Sequence, residues 1–441
     1  MKYLFISITT LISILSCDNT ATNSSTTNAS QGATYISLTD TLELPKPYAT
    51  KSATNFSKVL GWPDGKTPTA PQGFTVTKFC NGLASPRNIY IGANGDIFIS
   101  EANTEIKGIL KVAVQLSGKL KSQQLGASTN RITLLRDNNH DGIAEIRIVF
   151  LTGLNQPYGM TIIDNKFYVA NTDGLWQYPY KEGDTTITVA GTKILDLPAG
   201  GYNNHWTRNI TTNVAKTKIY ISVGSGTNIA EHGMDVEKRR ANILEVNIDG
   251  TGEKVFASGL RNPCGIAFQP KTNVLYTVVN ERDKLGDDLV PDYLTSVQQG
   301  GFYGWPYSYF GKNIDPRMNG ERLDLVDKAI VPDLSLGAHT ASLGLAFYTG
   351  TSFPTKYNGG IFIGQHGSWN SSNLTGYKVL FVPFSNGKIA GKPEDFLTGF
   401  VANKTKSHVY GRPVGVAVLH DGALLVADDA ANTIWHIRAN K

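Results

Sequence analysis

A phrase that recurs six times along the 441-residue chain constrains the fold more than any other feature. Each copy has a small or proline-bearing opening, a short apolar run, a turn rich in Gly, Asp or Asn, and a second, alternating apolar run. This pattern is typical of a strand, a tight turn and a strand. The copies occupy residues 85–103, 155–174, 207–226, 261–281, 341–367 and 412–430.

The repeat predicts an all-β fold, and its six copies indicate a six-bladed β-propeller. A sandwich or an ordinary barrel would need fewer strands and would not repeat the phrase. The copies are spaced by about 50 to 80 residues, which is longer than a four-stranded blade needs, so several blades should carry long loops. The 45 glycines, 18 phenylalanines and 19 tyrosines, with only 17% charged residues, also fit a turn-rich β protein.

The first residues have the character of an export signal. Lys2 precedes about a dozen mostly apolar residues that end at Ser16 and Cys17, a run too short to span a bilayer as a retained helix. The stretch from Ile14 to Cys17 resembles a lipobox, in which the cysteine becomes lipidated. An ordinary signal peptide with an incidental cysteine is the alternative. We expect a lipoprotein signal peptide over 1–16 and a lipid on Cys17.

This signal predicts a periplasmic or cell-surface lipoprotein that touches a bacterial membrane through its lipid anchor only. Residues 17–47 are polar, small and aperiodic at their start and are predicted to form a flexible tether. Residues 48–441 remain for the propeller. The other two cysteines, Cys80 and Cys264, make no disulfide framework and are expected to be buried free thiols. A net charge of +5 without a basic run argues against nucleic acid as a partner.

Candidate functional residues stand where the copies of the phrase begin. In a propeller the first strand of each blade lines the axis, so these residues should meet at one mouth of the central channel. They are Arg87, Gln156, His205, Arg261, Asn262 and Arg412. A histidine suits general base catalysis, whereas arginines hold anions bidentately. His205 taken alone would be a structural loop residue, but its place at the mouth favours a base.

Two acidic loops could bind calcium. Residues 280–297 contain five carboxylates and Gly286, which permits a sharp turn, although a solvated acidic loop would look the same. Residues 137–145 space Asp137, Asn139 and Asp141 like the opening of an EF-hand loop. The twelfth position there is Ile148 and no helical flanks are visible, so this loop could be only an Asp-rich turn.

A glycine-bounded turn carries His366 and Trp369. The indole could cover the face of a planar ligand or plug the channel. The chain has no zinc spacing, Walker loop, dinucleotide fingerprint or nucleophile elbow, which argues against a nicotinamide enzyme and a serine hydrolase.

Several longer segments resemble the sorbosone dehydrogenase family, relatives of the soluble glucose dehydrogenases that use pyrroloquinoline quinone (PQQ). The resemblance runs from about Gly61 to Arg438. Its segments include HWTRNI (205–210), SGLRNPCGIAF (258–268), VNERDKLGDDLVPDYLTSV (279–297), GGFYGWPYSY (300–309), GQHGSWN (364–370) and GRPVGVAV (411–418).

The resemblance implies a six-bladed propeller that oxidises an aldose or sugar aldehyde with PQQ. His205 would take the hydroxyl proton while hydride passes to the quinone. Arg261 and Asn262 would contact the cofactor and Arg412 would bind its carboxylates, with Arg87, His366 and Trp369 as further candidates. Ca²⁺ would bridge cofactor oxygens and be held by main-chain carbonyls of Gly286 and Asp287. Electrons would pass to a respiratory acceptor, a quinone or a cytochrome.

The chain departs from the glucose dehydrogenases at two points. They place a carboxylate behind the catalytic histidine, where this chain has SVGSGTN (222–228), so Ser225 or Glu231 would have to orient His205. Their quinone-contacting lysine also lacks an obvious counterpart.

Two other functions fit such a fold: a non-catalytic carbohydrate- or protein-binding propeller, and a calcium-dependent lactonase. The combination of His205 with Arg261, Asn262 and Arg412 argues against the first. Arginines where a lactonase needs carboxylates argue against the second.

Overall fold

The computed structural model describes residues 43–105, 119–122 and 125–440. The predicted signal peptide (1–16) and the predicted lipidation site, Cys17, lie outside these ranges. No helix within them is long and apolar enough to cross a membrane.

Six four-stranded antiparallel sheets make up most of the described chain, and we number them in chain order. Two strands precede them, β1 (Lys58–Val59) and β2 (Phe74–Cys80). Sheet 1 contains β3 (Pro86–Ile91), β4 (Ile97–Glu101), β5 (Arg131–Arg136) and β6 (Ile146–Leu151), with a 3-10 helix at Lys119–Ser122. Sheet 2 contains β7 (Gly159–Ile163), β8 (Lys166–Asn171), β9 (Gly174–Pro179) and β10 (Thr192–Asp196). Sheet 3 contains β11 (Ile210–Thr212), β12 (Lys218–Val223), β13 (Asn242–Asn247) and β14 (Lys254–Ser258).

The later sheets carry insertions. Sheet 4 begins with β15 (Pro263–Phe268), β16 (Leu275–Val279) and β17 (Pro291–Ser296). An insertion follows with β18 (Ser308–Tyr309), β19 (Asn313–Ile314), a 3-10 helix at Pro316–Met318 and α1 (Leu323–Val326), and β20 (Leu334–Ala338) completes the sheet. Sheet 5 contains β21 (Ser342–Phe347), a 3-10 helix at Thr355–Tyr357, β22 (Ile361–Gln365) and β23 (Lys378–Val382). The hairpin β24 (Phe384–Ser385) and β25 (Lys388–Ile389) then precedes its last strand, β26 (Glu394–Leu397).

The sixth sheet joins the two ends of the described chain. A small sheet comes first, in which β27 (Val401–Asn403) pairs with β28 (His408–Val409), and β28 pairs in parallel with β1. Sheet 6 then contains β29 (Pro413–Val418), β30 (Leu424–Asp428) and β31 (Thr433–Ala439), and its outer strand is β2. The register sets Phe74 opposite Ala439. This pairing fixes β2, the second strand of the described chain, to β31, its last strand.

The core lies between neighbouring sheets. Phe98 and Phe150 of sheet 1 pack with Met160 and Phe167 of sheet 2, and all four are almost fully buried. Each such side chain contributes about 1.5–3 kcal/mol by leaving water. Because both faces of a sheet are covered by its neighbours, strands such as β4 are buried at every position.

The first strands of the six sheets contact one another around a ring. β3 contacts β7, β7 contacts β11, β11 contacts β15, β15 contacts β21, β21 contacts β29, and β29 contacts β3. Glycines allow this approach: a Cβ on Gly159 would lie 2.5 Å from the amide nitrogen of Ile210, and one on Gly344 only 2.0 Å from the carbonyl oxygen of Val414. A side chain at either position would push two sheets apart.

These observations confirm the all-β prediction. Each copy of the phrase supplies the first two strands of one sheet, from β3–β4 to β29–β30. Cys80 and Cys264 are free thiols, as predicted, but only Cys264 is fully buried, because Cys80 lies at a bulge in β2. Leu44, within the predicted tether, packs against the core between sheets 3 and 4.

Candidate active site

His205 lies in the loop that precedes β11 and has its proton position fixed by one contact. Its Nδ1 is 2.7 Å from the main-chain carbonyl oxygen of Ser225, and 3.1 Å from the Ser225 hydroxyl. A carbonyl oxygen only accepts, so Nδ1 carries the proton and donates it. The lone pair is therefore on Nε2, which is the form of imidazole that can act as a base.

The surroundings keep this imidazole neutral. Burial lowers the pKa of His205 well below its ordinary value, and the positive charge of Arg261 lowers it further, whereas the Ser225 carbonyl opposes the shift. Nε2 of His205 is therefore unprotonated at neutral pH, and the lowered pKa makes it a weaker base than a free imidazole.

Of the two residues predicted to orient His205, Ser225 contacts it and Glu231 bonds elsewhere. Ser225 makes the contact through its main chain, while the Glu231 carboxylate accepts a hydrogen bond from the Ile229 amide at 2.8 Å. Gly224 makes the arrangement possible, because a Cβ there would lie 2.6 Å from Cβ of His205 and 2.4 Å from Oδ1 of Asn262. His205 and Asn262 therefore flank Gly224 closely.

Arg261 and Asn262 stand just before β15 and are buried. The Arg261 guanidinium donates to the carbonyl oxygen of Glu281 at 2.6 Å and forms an ion pair with Asp283 at 3.2 Å. Within the described residues, Nε of Arg261 and Oδ1 of Asn262 have no hydrogen-bond partner. Such buried polar atoms cost about 1–3 kcal/mol each unless a ligand or water pairs with them.

Arg87 and His366 meet at Asp429. The Arg87 guanidinium forms an ion pair with Asp429, and Nε2 of His366 lies 2.9 Å from the same carboxylate. Burial, with the charge of Arg412, lowers the pKa of His366 to about 4, so this histidine is also neutral at neutral pH. The Arg87 guanidinium lies 5.5 Å from the ring centroid of Trp206, the residue after His205. Arg87 of sheet 1 thus reaches the loop that carries His205.

Arg412 is buried and supports the turn that follows β22. Its Nε donates to the carbonyl oxygen of His366 at 3.0 Å and its Nη2 donates to that of Gly367 at 2.7 Å. The guanidinium also lies 5.3 Å from the ring centroid of Tyr377. Its role in binding carboxylates stays a prediction, beside this observed role in holding the turn.

Trp369 is partly covered by the N-terminal part of the described chain. Its ring stacks on Phe56 with centroids 5.6 Å apart and an angle of 9° between the planes. The Lys119 ammonium lies 6.0 Å from the indole centroid. Burial lowers the pKa of this lysine, and the charge of Asp283 opposes that shift. Sequence reasoning missed Lys119, which lies in a long insertion outside the repeated phrase.

The predicted calcium-binding carbonyls lie in a braced loop. The Gly286 carbonyl oxygen accepts a hydrogen bond from Nε2 of His339 at 2.8 Å. The Asp287 carboxylate accepts from the amides of Ala53 and Ser372, at 3.2 and 2.9 Å. A carbonyl oxygen has two acceptor positions, so Gly286 retains one for a cation, whereas the Asp287 side chain is already engaged.

A three-carboxylate cluster lies in the other acidic loop. Oxygens of Asp137, Asp141 and Glu145 lie within 4.8 Å of one another. Several of these oxygens accept main-chain amides of their own loop, such as Gly142 on Asp137 at 2.8 Å. The arrangement is that of a self-bonded turn, and calcium binding there stays a prediction.

Sequence reasoning missed the place of Arg208 beside His205 and the pairing of Asp283 with Arg261. Arg208 is fully buried and donates to the carbonyl oxygens of His205 and Pro198, at 2.7 Å each. Asp283 pairs with Arg261 and accepts a hydrogen bond from Asn370. Arg208 shares the HWTRNI segment with His205, so that segment was a usable signal. Asp283 stood in an acidic loop among several equivalent carboxylates.

Comparison with known proteins identifies related sequences and structures. A family model described as TrAA12-like matches residues 68–292 and 314–440. An uncharacterized protein of Borreliella burgdorferi is 29% identical over 383 residues, covering 84% of this chain and 90% of that protein. A pyrroloquinoline quinone-dependent pyranose dehydrogenase of Coprinopsis cinerea is 23% identical over 429 residues, covering 83% of this chain and 54% of that protein. The chain thus spans about half the length of that dehydrogenase.

Solved structures share the fold. The holo form of the PQQ domain of the Coprinopsis cinerea pyranose dehydrogenase superimposes with a TM-score of 0.67 at 19% identity, covering 87% of this chain and 100% of that domain. The calcium structure of a Trichoderma reesei carbohydrate-active enzyme of family AA12 gives a TM-score of 0.67 at 18% identity, covering 91% and 100%.

Proposed function

This chain belongs to the TrAA12-like family, and on that premise we propose that it is a dehydrogenase that oxidises a sugar with PQQ as cofactor. The observation that carries the proposal is the contact of 2.7 Å between Nδ1 of His205 and the Ser225 carbonyl oxygen. It leaves Nε2 free to accept a proton beside the buried guanidinium of Arg261. The name of the Coprinopsis cinerea relative supports both the cofactor and the sugar class. The resemblance to sorbosone dehydrogenases favours an aldose or sugar aldehyde as substrate.

The residues present fit a bound PQQ. This cofactor carries carboxylates and quinone carbonyls, and it therefore needs cationic and amide donors. Within the described residues, the Nε–H groups of Arg87 and Arg261 are buried donors without a hydrogen-bond partner, and they are groups of this kind. The open acceptor position on the Gly286 carbonyl is a hard oxygen ligand that suits Ca²⁺. When bound, PQQ would supply a two-electron acceptor for hydride.

The chain's own residues would handle the proton. His205 Nε2 would accept the proton of the sugar hydroxyl, and the electron pair of that O–H bond would form the new C=O bond as hydride leaves the carbon. The resulting imidazolium would keep its Nδ1–H bond to the Ser225 carbonyl, which stabilises the positive charge. The electrons would then pass to a respiratory quinone or cytochrome.

We also propose that the six sheets are the blades of a closed six-bladed propeller. The ring of contacts among the six first strands supports it, as does the pairing of β2 with β31. Export and anchoring through Cys17 are likewise proposed from the N-terminal sequence, and the intact mass of the mature protein would test them.

Reconstitution tests the proposed function. The purified protein is titrated with PQQ in the presence of Ca²⁺, by calorimetry, and dye reduction is then measured with a panel of aldoses. We expect saturable PQQ binding and turnover of at least one aldose. Absence of PQQ binding with Ca²⁺ present would overturn the proposal.

His205→Ala tests the base. It should keep PQQ affinity and lower kcat by about 10²–10⁴-fold, the usual contribution of a general base. His420→Ala is the matched control, because His420 is exposed in the turn between β29 and β30. If His205→Ala retained full turnover, another group would be the base.

A further inference from the structure

We infer that Glu237 is a positioning residue for the base, acting through the peptide bond between Ser225 and Gly226. This inference rests on the proposed role of His205. The Glu237 carboxylate is buried and accepts three hydrogen bonds from Gly226 and Thr227, the two residues that follow Ser225. The Gly226 amide donates at 2.7 Å, the Thr227 amide at 2.9 Å and the Thr227 hydroxyl at 2.6 Å.

One rigid peptide unit connects Glu237 to His205. The carbonyl oxygen of Ser225, which accepts from His205 Nδ1, and the amide of Gly226, which donates to Glu237, belong to the same planar group. In a trans peptide these two atoms point to opposite sides. Glu237 therefore fixes one edge of the plane whose other edge orients the imidazole.

The contact between Glu237 and the Gly226 amide also has an electrostatic effect on His205. Hydrogen bonds in a chain polarise one another, so a carboxylate that accepts from the Gly226 amide makes the Ser225 carbonyl a stronger acceptor. His205 thus receives, through one peptide unit, part of the negative field that a directly bonded carboxylate would supply. Glu237 takes the place of the carboxylate that SVGSGTN (222–228) lacks.

A second set of contacts holds the loop of His205 against the same residues. The Asn204 amide donates to the Gly226 carbonyl oxygen at 3.1 Å. Arg208 and Arg240 both donate to Oδ1 of Asn203, at 2.9 and 2.8 Å. Burial lowers the pKa of Arg240, and the negative charge of Glu237 opposes this shift. The loops of His205 and Ser225 are therefore fixed to each other around Glu237.

The test is the tautomer of His205 in the protein without cofactor. Nitrogen NMR of ¹⁵N-histidine-labelled protein distinguishes Nδ1–H from Nε2–H, and the His205→Gln variant identifies the His205 signals. We expect only the Nδ1–H form in the wild type. The Gly226 amide donates to one carboxylate oxygen of Glu237 and Thr227 donates to the other. In Glu237→Gln one of these oxygens becomes an NH2 group, which cannot accept, so one of the two contacts is lost and an Nε2–H population should appear.

Kinetics of the reconstituted protein give a second readout. Glu237→Gln should lower kcat by about 10- to 100-fold, the usual size of an effect on the partner of an active-site histidine. KM should change by no more than about 2-fold, because no substrate contact is removed. Glu253→Gln is the matched control: Glu253 pairs with Arg239 at 2.6 Å, and its change should leave tautomer and kcat as in the wild type.

Two results would overturn the inference: a wild-type His205 tautomer in Glu237→Gln, or an unchanged kcat alongside a lowered Tm, which indicates a structural role only. If Glu237→Gln does not fold, Thr227→Val removes one of the three hydrogen bonds and must produce smaller changes in the same two readouts. No change in either readout would again overturn it. The spectrum needs no cofactor, so failure to bind PQQ would overturn the proposed function and leave this test intact.

Discussion

At the scale of single residues, two neutral histidines have their protons placed by different acceptors. His205 donates from Nδ1 to a main-chain carbonyl, and His366 donates from Nε2 to the Asp429 carboxylate. His366 is buried and His205 is half-buried, and this desolvation, together with nearby guanidinium charges, makes their protonation costly. The same physical cause keeps both imidazoles neutral, which leaves Nε2 of His205 unprotonated and makes His366 a hydrogen-bond donor to Asp429.

The second of these histidines should make stability depend on pH. The pKa of His366 is about 4 in the folded protein, against about 6.5 for an unperturbed histidine. Its contribution is fully present above pH 6.5 and is lost as pH falls towards 4, because the unfolded chain binds a proton that the folded chain excludes. The free energy of unfolding should fall by roughly 3 kcal/mol over that range from this group.

Urea unfolding at a series of pH values measures this effect. His366→Gln keeps a donor for Asp429 and cannot titrate, so its stability should decline less between pH 6.5 and 4. The exposed His420 offers a control, since His420→Gln should follow the wild type. Parallel curves for wild type and His366→Gln would contradict the prediction.

The sequence could bring some of these residues together and not others. Arg87, His205, Arg261 and Arg412 each stand near the start of a first strand, and a repeat places equivalent positions side by side. Glu237 lies in a turn-rich stretch before β13 that has no apolar period. Its contacts depend on how two loops fold over each other, which no local pattern encodes.

At the scale of elements, residues 48–57 form a strap across two loops of the candidate site. The Tyr48 amide donates to the Leu285 carbonyl, the Gly286 amide to the Ser52 hydroxyl, and the Asn55 amide to the Trp369 carbonyl, at 2.7, 3.0 and 2.7 Å. The strap thus braces the loop of Gly286 and Asp287 and the turn of Trp369 together. No pattern in the sequence predicted the strap, because it has neither strand nor helix periodicity.

The Asp287 side chain is the centre of this brace. Asp287→Ala removes the acceptor of both the Ala53 and the Ser372 amide, so the free energy of unfolding should fall by about 1–3 kcal/mol. Amide hydrogen exchange should accelerate over 50–56 and 370–373. Neighbouring Asp288 is exposed, and Asp288→Ala should change stability by no more than about 0.5 kcal/mol. Equal effects of the two variants would show that the strap is held by other contacts.

The repeat predicted the first two strands of every sheet and missed how the ring is completed. Strand β2 belongs to none of the six copies, yet it forms the outer strand of sheet 6 beside β31. Its partner lies at the opposite end of the chain, and sequence periodicity carries no information on pairing over such a separation.

At the scale of the whole molecule, this pairing should make the six sheets unfold as one unit. Ile437 in β31 is fully buried and stands opposite Val76 of β2 on one side and Leu424 of β30 on the other. Ile437→Ala leaves a cavity where β31 pairs with β2 and should cost about 2–5 kcal/mol. Arg438→Ala, at the neighbouring exposed position, should be nearly neutral.

The shape of the transition decides whether the ring is closed. If every sheet is held by two neighbours, weakening sheet 6 lowers the stability of all, and urea unfolding of Ile437→Ala should shift as a single transition. Tryptophan fluorescence, from six residues spread along the chain, and far-UV circular dichroism should then give the same midpoint. An early loss of Trp435 fluorescence with most of the β signal retained would instead mean that sheet 6 detaches alone, as expected of an open row of sheets. In a closed ring no sheet is terminal, so a local defect at Ile437 lowers the stability of the whole molecule.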